Sequence, residues 1–138
     1  MTQTSVAAPD ARIICALDVP TTAEAAALAE RIGDAIGFYK VGLQLFAVDG
    51  MALARELKAQ GRKIFLDWKL HDIGATVEKA TAVLAHAGCD LLTVHARPQV
   101  MAAAARGVKP MQVSLAWLLS RPLVVAPVVW RWRLRVPA

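Results

Sequence analysis

The sequence contains few of the residues that build disulfide frameworks. Only two of its 138 residues are cysteine. Cys15 and Cys89 lie inside or beside apolar runs and lack the close spacing of a metal-binding or redox pair, so we expect two buried thiols in a reducing compartment. Residues 1–12 also lack the charged-then-apolar pattern of an export signal. Together these absences predict a cytoplasmic protein.

Acidic residues are absent from residues 107–138. The formal net charge of the chain is +5, yet residues 1–106 hold eleven basic and eleven acidic side chains, so the whole excess lies in the tail. The tail also holds three of the four tryptophans, and its basic residues are Lys109, Arg121, Arg131, Arg133 and Arg135. This change of composition predicts a boundary at residue 106. Reading a GC-rich gene out of frame tends to produce such a composition, and we interpret residues 107–138 as the product of a frameshift.

The tail offers two other interpretations, which its residues disfavour. The run 111–130 is apolar and near membrane-spanning length, but Arg121, Pro122 and Pro127 interrupt it, so we expect no membrane span. The Trp- and Arg-rich end has the charge for nucleic-acid binding but no recognised fold for it, so we expect no nucleic-acid partner.

Residues 12–106 alternate short apolar runs with helical patterns. The strand candidates, which begin about 26 residues apart as βα units do, are Arg12–Val19, Phe38–Gly42, Lys63–Leu70 and Asp90–Ala96. The helical patterns cover residues 21–37, 51–60, 76–87 and 99–106, with stops expected at Gly37, Gly61 and Gly88. Thr21 and Glu24 have the spacing of a capping box at the start of the first helix.

Apolar strands separated by helices of ten or more residues favour a parallel sheet buried on both faces, which is an α/β fold. Both a barrel and a doubly wound sheet satisfy this pattern. Polar side chains at the carboxyl ends of successive strands favour the barrel mouth: Asp18, Lys40, Asp67, Lys69 and His95. A complete barrel needs at least about 200 residues. We therefore predict a partial TIM-type barrel of about four βα units, followed by an irregular tail.

The third strand carries the most informative residues. Asp67 and Lys69 are two positions apart on a strand, so their side chains leave the same face, while Trp68 points to the other. Half-buried charges require partners, and Lys40 and Asp72 are available. An alternating array of two ammonium and two carboxylate groups suits the stabilisation and protonation of a developing negative charge.

The motif D-W-K-L-H-D-I-G-A-T, which begins at Asp67, resembles the D-x-K-x-x-D signature of the orotidine 5′-phosphate decarboxylases. The segments ALDVP around Asp18 and YKVG around Lys40 resemble the other two N-terminal motifs of that family, in the same order, and the resemblance covers about residues 11–106. It implies decarboxylation of orotidine 5′-phosphate to UMP, the last step of de novo pyrimidine synthesis, without a metal or organic cofactor.

The resemblance also implies a role for each residue of the site. Lys69 would donate the proton to C6 of the pyrimidine, and Asp67 would hold Lys69 and crowd the substrate carboxylate. Lys40 would pair with Asp67 and contact the ribose, and Asp18 would accept hydrogen bonds from the sugar.

The resemblance further implies a homodimer, in which Asp72 and Thr76 reach the active site of the neighbouring subunit. The family's phosphate-gripping loops would follow the seventh and eighth strands, and nothing after Gly107 resembles them. We therefore expect this chain to be weakly active or inactive.

Other interpretations stay open at this point. One is a non-catalytic half-barrel that acts only by associating with another chain. A related branch, the 3-keto-L-gulonate 6-phosphate decarboxylases and hexulose-phosphate synthases, shares D-x-K-x-x-D but uses Mg²⁺ held by an acid where Lys40 stands, and a lysine there disfavours it. Asp18 could instead shape the loop before the first helix. His71 could be a second acid or a structural loop residue, and His95 could line the pocket or be a rim histidine.

Overall fold

A computed structural model of the chain describes residues 13–107. Arg12 and the tail from residue 108 onward, including the apolar run 111–130, lie outside the described residues. Strands and helices alternate along the described part in this order: β1 Cys15–Ala16, α1 Thr22–Ile32, a 3-10 turn Gly33–Ala35, β2 Phe38–Gly42, α2 Leu43–Phe46, α3 Gly50–Ala59, β3 Lys63–Leu70, α4 Gly74–His86, β4 Leu91–Val94 and α5 Pro98–Gly107.

The four strands form one parallel sheet in the order β1-β2-β3-β4. Each strand is therefore the neighbour of the next strand along the chain. A doubly wound sheet reverses its direction of winding at a switch point, and the sheet of residues 13–107 has no such reversal. Four parallel strands that follow one another in this way and alternate with helices are the arrangement of a partial TIM-type barrel, which confirms the predicted fold class.

The predicted bounds of the two central strands are confirmed to the residue, since β2 spans Phe38–Gly42 and β3 spans Lys63–Leu70. The outer strands are shorter than predicted. Strand β1 covers two residues and pairs with β2 alone among the described strands, and β4 ends at Val94 instead of Ala96. A central strand is paired along both edges, and the extra ladder bonds keep it extended for longer.

Helix α1 begins as the sequence predicts but ends early. The Thr21 hydroxyl accepts a hydrogen bond from the Glu24 amide at 3.2 Å, which confirms the predicted cap. The predicted end at Gly37 is wrong, because Gly33 adopts a left-handed φ of 58° directly after Ile32 and turns the chain out of the helix. The stops at Gly61 and Gly88, with φ of 81° and 85°, are confirmed.

Three other helical features differ from the prediction. Helix α2 was not predicted, since its four residues are too few to show a period. Helix α4 begins at Gly74 instead of Thr76, after an extended Ile73. Helix α5 begins one residue early, at Pro98, because proline is well suited to the first helical position.

The core lies between the sheet and the helices that cover it. Its largest fully buried side chains include Tyr39, Leu17, Leu45, Ile64 and Leu66. Within residues 13–107, no helix is both long enough and apolar enough to cross a lipid bilayer.

Candidate active site

Four charged side chains form a continuous row of ion pairs across three strands, and we call this row the charge array. Lys40 Nζ lies 3.0 Å and 3.1 Å from the two carboxylate oxygens of Asp18. On its other side, the same Nζ lies 3.7 Å from Asp67 Oδ2. Asp67 Oδ2 in turn lies 2.9 Å from Lys69 Nζ. The charges therefore alternate in sign along the row: Asp18, Lys40, Asp67 and Lys69.

Strand pairing brings the first two members together. The amide of Leu17 donates to the Lys40 carbonyl at 3.0 Å, which extends the β1–β2 pairing and delivers Asp18 to the edge of the sheet beside Lys40. Gly42 leaves room for this contact. A Cβ atom at Gly42 would lie 3.0 Å from Asp18 Oδ1 and 3.6 Å from Lys40 Nζ. The absence of a side chain at Gly42 is therefore part of how the pair is accommodated.

The other two members stand on an irregular part of β3. Leu66 pairs with Leu92 and Leu70 pairs with Val94, so three residues of β3 face a single residue of β4. This bulge gives Lys69 a left-handed φ of 52°, which is uncommon for a residue with a side chain. Bulges of this kind re-aim side chains next to functional sites. Trp68 points away from the charge array and packs on Phe46, with ring centroids 4.6 Å apart.

Thr93, the residue of β4 that faces the bulge, was missed in the sequence. Its hydroxyl oxygen accepts a hydrogen bond from the Lys69 backbone amide at 2.9 Å and donates one to Asp67 Oδ1 at 3.0 Å. The only signal in the sequence is a polar residue inside an apolar strand, two positions before His95. That signal does not indicate which strand the hydroxyl faces.

Burial decreases along the charge array from Lys40 to Lys69. The side chain of Lys40 is 10% exposed and that of Asp67 is 18% exposed, whereas that of Lys69 is 55% exposed. The buried pair of Lys40 and Asp67 fixes the charge array in place. The exposed ammonium group of Lys69 is accessible to a ligand at this edge of the sheet. An ammonium held beside a carboxylate can stabilise a developing anion and then give it a proton.

Two of the six predicted site residues stand outside the charge array. Asp72 is exposed in the loop after β3, where its carboxylate accepts a hydrogen bond from the Ile73 amide at 2.6 Å. Thr76 is exposed in the first turn of α4. The two histidines at this edge, His71 and His95, lie against each other with ring centroids 4.7 Å apart.

The thiol nearest the site is unsuited to act as a nucleophile. Burial, and then the negative charge of Asp18, raise the pKa of Cys15, so the thiol stays protonated near neutral pH. Among residues 13–107, no three His, Cys, Asp or Glu side chains lie together in a group that could hold a metal ion.

Comparison with known proteins finds orotidine 5′-phosphate decarboxylases both by sequence and by structure. The model of the orotidine 5′-phosphate decarboxylase / HUMPS family matches residues 11–125, which extends past the boundary predicted at residue 106. The orotidine 5′-phosphate decarboxylase of Caulobacter sp. (strain K31) is 66% identical over 97 residues, which are 70% of this chain and 42% of that protein. That of Methylobacterium radiotolerans is 54% identical over 104 residues, or 75% of this chain and 45% of that protein.

Among solved structures, the orotidine 5′-phosphate decarboxylase from Lactobacillus acidophilus superposes with a TM-score of 0.64. It is 36% identical, and the match covers 72% of this chain and 46% of that chain. The chain thus spans about half the length of the curated relatives it matches.

Proposed function

The chain belongs to the orotidine 5′-phosphate decarboxylase / HUMPS family, and from that premise we propose that its charge array serves the decarboxylation of orotidine 5′-phosphate to UMP. The observation that carries this proposal is the Asp67–Lys69 pair, 2.9 Å apart and held on a bulged strand at the mouth of the sheet. The Asp67 carboxylate is buried enough to be fixed in direction, and the Lys69 ammonium group is exposed enough to meet a ligand.

For this reaction the protein has to supply a fixed electric field and one proton. When the bond from C6 of the pyrimidine to the carboxylate breaks, carbon dioxide leaves and its bonding electron pair stays on C6. The Lys69 ammonium stabilises that pair and then transfers a proton from Nζ to C6, which leaves a neutral amine to be protonated again by water. Asp67 orients the ammonium and places a negative charge near the departing carboxylate group.

Lys40 and Asp18 complete the proposed site. Both lie at the end of the charge array away from Lys69, so a pyrimidine ring at Lys69 would place its ribose near them. Asp18 has carboxylate oxygens to accept hydrogen bonds from sugar hydroxyls, and its side chain is 33% exposed.

The position of Lys40 favours this reaction over the magnesium-dependent chemistry of the related branch. Its ammonium lies 3.0 Å from Asp18 and 3.7 Å from Asp67, and so it occupies the place between two carboxylates that a divalent cation would need. We therefore propose a reaction without a metal or organic cofactor. Turnover that is unchanged by EDTA is the expected result, and turnover that requires added Mg²⁺ would favour the other branch.

The direct test measures UMP formation from orotidine 5′-phosphate by the full chain and by Lys69→Ala. Loss of the proton donor is expected to lower kcat by on the order of 100-fold or more. Lys79→Ala, which removes an exposed lysine from α4, is the matched control and should leave turnover unchanged. Turnover that survives in Lys69→Ala would contradict the mechanism.

We further propose that this chain by itself turns over slowly. In phosphate-binding barrels the anion is held by loops after the seventh and eighth strands, and the part of the chain that the structure describes contains four strands. Binding energy from a remote phosphate lowers the barrier at the reacting ring. The second candidate function, a half-barrel that acts only through association, predicts no UMP formation at any substrate concentration.

We propose, in addition, a boundary at residue 106 and a frameshift origin of residues 107–138. This proposal rests on the absence of acidic residues and on the concentration of tryptophan and arginine in that segment. Sequencing the locus tests it. A barrel-like continuation in a neighbouring reading frame is the expected result, and a locus without such a continuation in any frame would contradict the proposal.

We also propose a cytoplasmic homodimer in which Asp72 and Thr76 act across the interface. Both are exposed, and they stand on the loop and helix that follow the β3 motif. If each site takes Lys69 from one subunit and Asp72 from the other, a mixture of Lys69→Ala and Asp72→Ala chains should regain about a quarter of wild-type sites, since half of the dimers are mixed and carry one intact site. A mixture as inactive as its parents would contradict the shared site.

A further inference from the structure

The bulge in β3 leaves more residues on β3 than on β4 to form backbone hydrogen bonds. Between the Leu66–Leu92 and Leu70–Val94 pairs, β3 supplies three residues and β4 supplies one. In a regular parallel sheet, each amide of a central strand donates to a carbonyl of one of its two neighbouring strands, and a bulge interrupts that pattern. The amide of Lys69 is one of the groups that the interruption affects.

The side chain of Thr93 supplies a hydrogen-bond partner for the bulged backbone. Its hydroxyl accepts from the Lys69 amide at 2.9 Å, in place of a ladder carbonyl, and gives its own hydrogen to Asp67 Oδ1 at 3.0 Å. One buried hydroxyl thus bonds to both residues of the proposed catalytic pair, since Thr93 is only 9% exposed. Asp67 is then bonded through each of its oxygens, to Thr93 through Oδ1 and to Lys69 through Oδ2.

We infer that Thr93 is a positioning residue, whose hydroxyl holds the bulged backbone of Lys69 and the carboxylate of Asp67 in the geometry that pairs their side chains. A methyl group in place of the hydroxyl would leave the Lys69 amide and Asp67 Oδ1 each without this bond. Lys69 already has a left-handed φ of 52°, so the loss of the amide bond removes a restraint from an unfavourable backbone conformation. Asp67 would gain freedom to rotate about the bond from Cα to Cβ.

Hydrogen exchange of the Lys69 amide, followed by NMR on the full chain, tests this positioning directly. Thr93→Val removes the hydroxyl with little change of shape, and Thr93→Ser keeps it. Relative to the Phe65 amide on the same strand, we expect Lys69 exchange to accelerate about tenfold or more in Thr93→Val, the equivalent of one lost hydrogen bond. Thr93→Ser should stay within about threefold of wild type.

Thr81→Val is the matched control. Thr81 is buried on α4, and its hydroxyl donates to the Val77 carbonyl, away from the charge array. This variant makes the same chemical change and should leave the exchange ratio of Lys69 to Phe65 unaltered. Equal ratios in wild type and Thr93→Val would overturn the inference, whatever the effect on overall stability.

The consequence for the reaction rests on the proposed function and has its own measurement. Thr93 is only 9% exposed and acts through Asp67 and Lys69, so Thr93→Val should lower kcat for orotidine 5′-phosphate about tenfold and change KM little, with recovery in Thr93→Ser. A shifted exchange ratio with unchanged kcat would overturn the catalytic part of the inference. Wild-type chain without any turnover would contradict the proposed function, while the exchange ratio would still decide whether Thr93 holds Lys69.

Discussion

Lys40 donates to both carboxylate oxygens of Asp18, at 3.0 Å and 3.1 Å, from a side chain that is only 10% exposed. The same ammonium lies 3.7 Å from Asp67. One buried cation is thus shared by two carboxylates, Asp18 from the segment after β1 and Asp67 from β3. Without it, those carboxylates would face each other across a partly desolvated space, so Lys40 joins the first three strands of the sheet electrostatically as well as through its backbone.

Replacing Lys40 should therefore cost more stability than replacing Lys69. We expect Lys40→Met to lower the free energy of unfolding by about 2 kcal/mol, since it leaves partly buried carboxylates without a cationic partner. The expected loss is smaller than that for a fully buried ion pair, because the Asp18 side chain is a third exposed. Lys69→Met removes an ammonium that is 55% exposed and should cost less than about 1 kcal/mol. Urea unfolding of the two variants measures the difference, and equal losses would contradict this account of the charge array.

The sequence was sufficient to predict that Lys40, Asp67 and Lys69 converge, because the information is local, but Asp18 and not Asp72 is the fourth charge of the array. The apolar runs of β2 and β3 define their own bounds, and the alternation of side chains on a strand places Asp67 and Lys69 on one face. Polar residues at the ends of parallel strands then meet at one edge of the sheet. The role of Thr93 could not be predicted from local patterns. It depends on a register shift between β3 and β4, which are separated along the chain by α4.

The helix ends show the same division between local and distant information. Gly61 and Gly88 stop their helices as predicted, since each lies two residues after the last residue of a helix, in a left-handed conformation. Gly37 does not, because Gly33 turns the chain first, and both glycines are compatible with the pattern. The proposed roles of Asp72 and Thr76 depend on a second subunit, so one chain places these side chains but does not test them.

Gly42 provides a test of how closely the charge array is fitted to the sheet. Gly42→Ala places a Cβ atom 3.0 Å from Asp18 Oδ1, and the backbone φ of −84° accepts alanine without strain. We expect the Asp18 carboxylate to shift, with a loss of less than about 1 kcal/mol in unfolding free energy and a raised KM for orotidine 5′-phosphate.

Gly74→Ala serves as the control for Gly42→Ala. Its added Cβ would meet Ala103 Cβ at 3.7 Å, which is ordinary contact, at the start of α4. This variant should be neutral or more stable, because alanine is favoured over glycine in a helix by up to about 1 kcal/mol. Equal KM values for wild type and Gly42→Ala would show that Asp18 tolerates the displacement.

Asp90 is half-buried and is expected to matter for folding. Its Oδ2 accepts from the Ile64 amide at 2.8 Å and from Lys58 Nζ at 2.7 Å, and so it joins β3 and α3 to the start of β4. Asp90→Ala leaves the amide of a buried residue without this acceptor and should cost about 1–3 kcal/mol in urea unfolding. Asp34→Ala breaks the ion pair between Asp34 and Arg62. The Asp34 side chain is 73% exposed, so this loss should cost less than about 1 kcal/mol. A smaller loss for Asp90→Ala than for Asp34→Ala would show that the Ile64 amide finds another partner.

Cys89 should make the stability of the chain depend on pH in the alkaline range. Burial, and next the negative charge of Asp90, raise the pKa of its thiol above the ordinary value of 9.0, and Lys58 opposes this shift in part. The folded chain therefore binds the thiol proton more tightly than the unfolded chain does. The resulting contribution to stability is fully present below pH 9.0 and is lost as the pH rises through the folded-state pKa.

The measurement is the unfolding free energy in urea at several pH values from about 7.5 to 10, with a reductant present to prevent oxidation. Cys89→Ala removes the titrating group, so its stability should decline less steeply above pH 9 than that of wild type, by up to about 1.4 kcal/mol per pH unit. Cys15 also has a raised pKa but is present in both proteins, so its contribution cancels in the difference. The cavity left by alanine lowers the whole curve without changing its slope, because a cavity binds no proton. Parallel curves for the two proteins would mean that the Cys89 thiol titrates alike in the folded and unfolded chain, and that its burial does not exclude water in solution.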